Sequence, residues 1–228
     1  STGGSPTSTI IKLKGREGDS RPSLLKEGIT MDMTRFRNQM TFLVEIDRMK
    51  TILRRNLIAD GSKRENDAEH SWHFAMMAMV LEEYAAEKKH INFDRVLRMA
   101  LVHDLVEVYA GDTFCYDQEG NQSKAQREQE AADRLFGILP QEQGMEYRKL
   151  WEEFDAMDTP DSRYAAAIDR LQPFVLNYLT NGHTWKLGNV ESSQVYQRIG
   201  PVKEALPELW GPIVKMIQDS IEKGLIRP

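Results

Sequence analysis

The sequence predicts an all-α protein, a bundle of about seven or eight helices. Three observations lead there. From Thr34 onward apolar residues recur at spacings of three and four. No alternating β-branched run appears anywhere in the chain. Finally, cap residues, prolines and glycines divide the chain into helix-length pieces. One piece is unusual. The apolar run Ala100-Leu101-Val102-His103-Asp104-Leu105-Val106 carries a histidine and a carboxylate side by side. Burying both without partners is costly, and a metal ion satisfies both at once.

Composition narrows the function classes. The chain has 228 residues, 30 basic against 35 acidic, and a formal net charge of −5. Its length suits one domain with a full core, or one domain plus an extension. The acidic balance argues against a surface that coats nucleic acid. A single cysteine, Cys115, excludes an internal disulfide and suits a reducing compartment. No run of 18 apolar residues marks a membrane span, and the N-terminus lacks the apolar core of a signal peptide. The expectation is a soluble, cytoplasmic protein with no nucleic-acid or membrane partner.

Taken in order, residues 1–30 are polar and aperiodic and read as a flexible N-terminal extension or tag, with Met31 or Met33 a candidate natural start. The domain is expected over 31–228. Phe36, Met40, Leu43, Ile46, Met49 and Leu53 form one apolar face of a first helix, which Thr34 caps and which ends in Arg54-Arg55-Asn56. A polar loop covers 60–64. Asn66, followed three residues later by Glu69, forms a capping box and puts His70 in the first turn of a second helix. From Trp72 to Leu81 that helix is apolar nearly all round, which predicts a central position. Asn92 caps a third helix running to His103-Asp104. There His103 and Glu107, four apart, share a face, Gly111 supplies the C-cap, and Asp112 follows at the rim. Helices then follow at 123–139, stopped by Pro140, and at 145–157, with Tyr147, Leu150, Trp151 and Phe154 inward. The next spans 162–179 and contains Asp169, with Pro173 predicting a kink or break. A loop at 182–189, a short helix at 192–199 and a last helix at 207–223, closed by Gly224, complete the chain.

Alone, His70 reads as a hydrogen-bonded core residue, the His103-Asp104 pair as a chance neighbour, and Asp169 as half of a salt bridge with Arg170. Together their order, H…HD…D, resembles the signature of HD-domain metal-dependent phosphohydrolases. The resemblance extends to Glu69-His70-Ser71, to His103-Asp104-x-x-Glu107-x-x-x-Gly111-Asp112 and to Arg48-Met49-Lys50-x-x-x-Arg54. This combination is similar to the YfbR-like 5′-deoxynucleotidase family over roughly 36–179. The resemblance implies an HD-domain helical bundle around a single divalent-metal site, with His70, His103, Asp104 and Asp169 as ligands. Two nitrogens and two oxygens suit Co²⁺, Mn²⁺, Fe²⁺, Ni²⁺ or Zn²⁺ better than Mg²⁺.

The implied reaction removes phosphate from (deoxy)nucleoside 5′-monophosphates, with metal-activated water attacking phosphorus. Glu107 is the implied general acid/base, Asp112 contacts the sugar 3′-hydroxyl, and Arg54 holds the 5′-phosphate. Arg55 departs from the best-known family member, which carries a ribose-discriminating tryptophan there; either deoxy-selectivity is relaxed or the substrate carries more phosphates. The loop 113–117 also lacks the family's prolines, and Phe114 and Tyr116 read as buried aromatics rather than base-stacking platforms. His73, Lys63, Arg64 and the eleven methionines read as packing or solvated residues. The helices at 123–139 and 207–223 are candidates for the homodimer interface the family implies. The alternatives are an HD-type nucleoside triphosphate hydrolase or phosphodiesterase, and a non-catalytic nucleotide-binding HD module.

Overall fold

A computed structural model describes residues 33–228; the expected extension over 1–30 lies outside the described residues. Among those described, eleven α-helices accompany one two-stranded antiparallel ribbon. Eight of the helices have ten or more residues, so the expected bundle is present, with short extra segments between its members.

Helix α1 (Met33–Ile46) passes through a 3₁₀ turn (Asp47–Thr51) into strand β1 (Leu53–Leu57), which pairs with β2 (Arg64–Asn66). The expected helix end at Arg54 is therefore a strand. Tertiary partners override the local periodicity here. Ile52 is extended and its carbonyl accepts from Asp67 N at 3.1 Å. The Arg64 guanidinium donates to the carbonyls of Leu53 and Arg54, at 2.6 and 2.5 Å. Helix α2 (Asp67–Val80) begins with the expected reciprocal capping box between Asn66 and Glu69. Helix α3 (Phe93–Val102) is capped by Asn92 as expected.

Next come α4 (Glu107–Ala110), α5 (Gln118–Gln122), α6 (Lys124–Phe136), α7 (Gln141–Ala156), α8 (Pro160–Leu179), α9 (His183–Leu187), α10 (Ser192–Ala205) and α11 (Pro207–Glu222). Helix α8 is the axis of the domain and packs against α2, α3, α7 and α10. Its Ala165, Ala166 and Ala167 are buried, and side chains this small let neighbouring helices approach closely. Thr159 and Ser162 cap α8 reciprocally. Pro173 does not break it. The proline removes a single N–H, and burial of the helix along most of its length outweighs that loss.

Two expectations about faces fail. Helix α2 buries His70, Phe74 and Ala78 but exposes Trp72, Met76, Met79 and Val80, so it is central on one side only. Met76 and Met79 are correspondingly not core filler, unlike the buried Met49 and Met99. On α1, Phe36, Met40 and Leu43 are exposed, while Phe42 is the residue that reaches the core. Periodicity finds an apolar face but not what, if anything, lies opposite it.

Candidate metal centre and cavity

Four elements converge on one point: β1, the start of α2, the α3–α4 junction and the middle of α8. His70 is fully buried in the first turn of α2, held there by the capping box. His103 and Asp104 stand just past the end of α3. The chain there turns through i→i+3 bonds, Leu105 N to Val102 O at 3.1 Å and Glu107 N to Asp104 O at 2.9 Å. The expected continuous helix is thus interrupted between His103 and Glu107, and tightening of that turn brings Asp104 inward. Gly111, at φ +76°, ends α4 in a conformation that disfavours any side chain, with its N–H on Glu107 O at 2.8 Å.

Each imidazole is held in position by an acceptor at Nδ1. His103 Nδ1 lies 3.0 Å from Ala100 O, which only accepts, so Nδ1 carries a proton and Nε2 faces inward. His70 Nδ1 lies 3.0 Å from Gln172 Oε1. The Gln172 amide must turn its NH₂ toward Glu65 Oε1, at 2.6 Å, so its oxygen faces His70 and again Nδ1 donates. His73 Nδ1 accepts the other amide hydrogen, at 3.0 Å.

Both Nε2 atoms face two carboxylates, and that of His70 is hydrogen-bonded to Asp169 Oδ1. His70 Nε2 is 3.0 Å from Asp169 Oδ1 and 3.8 Å from Asp104 Oδ2. His103 Nε2 is 3.0 Å from Asp104 Oδ2 and 3.6 Å from Asp169 Oδ1. His70, His103 and Asp104 offer atoms that could together hold a metal ion, and Asp169 Oδ1 lies 3.0 and 3.6 Å from the two imidazole nitrogens. His103 Nε2 is buried without a hydrogen-bond partner, as a metal-ligand nitrogen would be. The tightest trio is His70, His103 and Asp104. Burial works against charge on His103, but Asp104 and Asp169 outweigh it and lift its imidazolium to about 10. A field that retains a proton this firmly also retains a cation, and the two compete for Nε2. Asp104 is held well below the carboxylate range, because His103 and Arg54 overcome the cost of burial.

A second, acidic trio shares Asp104: Asp67, Asp104 and Glu107. Asp67 Oδ1, Asp67 Oδ2 and Glu107 Oε2 are all buried without a donor. Burial, then the Asp104 charge, raises Asp67 to about 7 and Glu107 well above its ordinary range. Two carboxyls raised in this way place a protonatable group beside the centre.

Arg54 is not a solvated helix-end residue. Its side chain is 13% exposed, with Nη1 2.7 Å from Asp104 Oδ2 and 3.6 Å from Asp67 Oδ1. The centre opens into a cavity of about 370 Å³ whose walls include Arg54, Arg55, Asp112, Lys124, Arg170 and Arg198. Burial raises the Asp112 carboxyl, opposed by Arg54. Arg55 stacks on the half-buried Phe114 with 4.6 Å from Cζ to the ring centroid, so Phe114 borders the cavity rather than the core. Lys63 pairs with Glu69, and Arg64 braces β1, away from the cavity.

Every expected site residue thus meets at this centre or its cavity. Sequence reasoning missed Glu65, Asp67, Gln172, Lys124 and Arg198. Only Glu65 and Asp67 carried a signal: acidic residues flanking Asn66 that precede a mostly apolar helix.

A helical bundle that brings His70, His103 and Asp104 together, with Asp169 beside them, has a group of side chains that could hold a metal ion. The chain belongs to the HD-domain family, whose model matches residues 46–210. It is 45% identical to a structure from Magnetospirillum magnetotacticum described as a predicted metal-dependent phosphohydrolase. The TM-score is 0.78, covering 86% of this chain and 100% of that one. It is 30% identical over 144 residues to the 5′-deoxynucleotidase HDDC2 of Bos taurus, covering 63% of this chain and 68% of the relative. The corresponding Homo sapiens protein is 28% identical over 137 residues, covering 60% and 65%. The chain therefore spans about two thirds of the length of these relatives. No helix among the described residues is long and apolar enough to cross a membrane.

Proposed function

We propose that this protein is a metal-dependent phosphohydrolase that converts (deoxy)nucleoside 5′-monophosphates to nucleoside and phosphate. The observation that carries the reading is the pair of Nδ1-protonated imidazoles aimed at Asp104 and Asp169 beside a protonatable Glu107. The names of its relatives support the substrate class. His70, His103, Asp104 and Asp169 are the ligands in this reading, and the donor set favours Co²⁺, Mn²⁺, Fe²⁺, Ni²⁺ or Zn²⁺ over Mg²⁺. Bound there, a divalent cation supplies Lewis-acid polarisation of a phosphoryl oxygen and lowers the pKa of water.

The chain's own residues do the rest. Glu107 takes a proton from the water that attacks phosphorus and returns it to the 5′-oxygen as the P–O5′ bond breaks. Arg54 donates to the phosphoryl oxygens, where negative charge grows in the transition state. Asp112 accepts from the sugar hydroxyl, and Arg55, stacked on Phe114, borders the nucleoside. The exposed apolar face of α2 supports a homodimer, and the lone cysteine supports a reducing, cytoplasmic setting. The domain boundaries expected from sequence, 31–228, contain the whole matched region.

Phosphate release from ribo- and deoxyribonucleoside mono- and triphosphates tests this, with Co²⁺, Mn²⁺, Mg²⁺ or EDTA and with Glu107→Ala alongside. Metal-requiring release from monophosphates, reduced by about 10²–10⁴ in the variant, is expected. Release from triphosphates alone, or none from any nucleotide, refutes it.

A further inference from the structure

Arg198 on α10 is far in sequence from every motif residue, yet it lines the catalytic cavity. Its Nη2 lies 3.5 Å from Asp169 Oδ2, whereas Asp169 Oδ1 is the oxygen turned to the two histidines. Arg54 meets Asp104 more closely, with Nη1 2.7 Å from Oδ2, the oxygen that also faces the two histidines. Two guanidinium groups therefore flank the centre, each one carboxylate away from the imidazole nitrogens.

The surroundings of Arg198 leave it short of acceptors. Its Nε is buried and has no hydrogen-bond partner. An unmet buried donor is costly, more so when charged, so its retention points to an acceptor that arrives with a ligand. Arg170 and Lys124 add like charge from α8 and α6. Lys124 is already paired with Glu128 at 3.5 Å, and Arg170 donates to Met157 Sδ at 3.2 Å. The Asp169 charge is divided between Arg198 and the two histidines, and a bound cation would draw it further from the arginine. Phosphate oxygens, arranged to meet a planar fork of N–H groups, are the acceptors this geometry suits.

We infer that Arg198 is a second phosphate-binding residue, gripping the substrate's phosphoryl group from the Asp169 side as Arg54 does from the Asp104 side. This rests on the nucleotidase reading for its substrate, but the phosphate subsite can be tested without turnover. The plain alternative is a tether that only orients Asp169. The two separate in binding measurements on the full chain. Inorganic phosphate is titrated calorimetrically into Mn²⁺-saturated wild type, Arg198→Met and Arg198→Lys. Mn²⁺ affinity of the EDTA-treated proteins is measured separately, with circular dichroism to confirm folding.

The expected result is a phosphate Kd weakened about tenfold or more in Arg198→Met and partly recovered in Arg198→Lys, with Mn²⁺ affinity within about threefold of wild type. With a nucleotide substrate, the same variant should raise KM and lower kcat. An unchanged phosphate Kd, or phosphate loss seen only alongside an equal loss of Mn²⁺ affinity, overturns the inference in favour of the tether. Wild type that binds phosphate but releases none from any nucleotide would sink the nucleotidase reading and leave the subsite standing.

Discussion

Replacing Arg54 by methionine should weaken the metal-free protein and strengthen its grip on metal. The side chain keeps its length but loses the charge facing Asp104 at 2.7 Å, Asp67 at 3.6 Å and Glu65 at 3.9 Å. Removing one partner of a buried ion pair costs about 3–5 kcal/mol. Asp67 and Glu65, raised to about 7 by burial, can relieve part of this by taking up protons, so the measurement belongs near pH 8. At about 2–4 °C per kcal/mol for a chain of this size, the EDTA-treated variant should melt roughly 6–20 °C below wild type. The same carboxylates, freed of one cation, should bind Mn²⁺ about tenfold more tightly, roughly 1.4 kcal/mol. Added Mn²⁺ should therefore raise the melting temperature further in the variant than in wild type. Calorimetry of both proteins with EDTA and with Mn²⁺ reads both effects. An unchanged metal-free melting temperature, or a metal-induced rise no larger than in wild type, would refute the view that Arg54 is the resident counter-ion of this cluster.

Gln172→Leu should remove the acceptor that holds His70 Nδ1 and lower metal affinity about 10–100-fold, read by competition with a chelating dye. Glu65→Gln should change the pH dependence of stability. Burial raises this carboxyl from 4.5 to about 7, so between those values the folded chain holds more protons than the unfolded one. Stability therefore falls as pH rises through that window, by about 3 kcal/mol in all, and the loss persists above it. In urea melts of EDTA-treated protein the variant should show a decline shallower by that amount, the part due to Asp67 remaining, and be the more stable at pH 8; an equally steep decline in both proteins would count against it. Arg55→Trp should shift the ratio of kcat/KM values toward deoxyribonucleotides severalfold, and an unchanged ratio would remove Arg55 from sugar selection.

The helical class, the caps of α2 and α3 and the candidate site residues were all legible in the sequence. His70, His103-Asp104 and Asp169 are legible because a metal centre needs particular donors in a particular order, and polar groups in apolar helices stand out. Glu107 and Gly111 follow from local spacing. Only the tertiary structure decided which side of each helix is covered, turned the expected end of the first helix into a strand, and carried α8 through Pro173. It alone assembled Gln172, Glu65, Asp67 and Arg198 around the centre. These residues act through partners on other elements, and nothing in their local sequence encodes the partner. Local interactions specify turns, caps and periodicity, but the acceptor that holds a histidine or the counter-ion of a carboxylate exists only once the chain has closed around it.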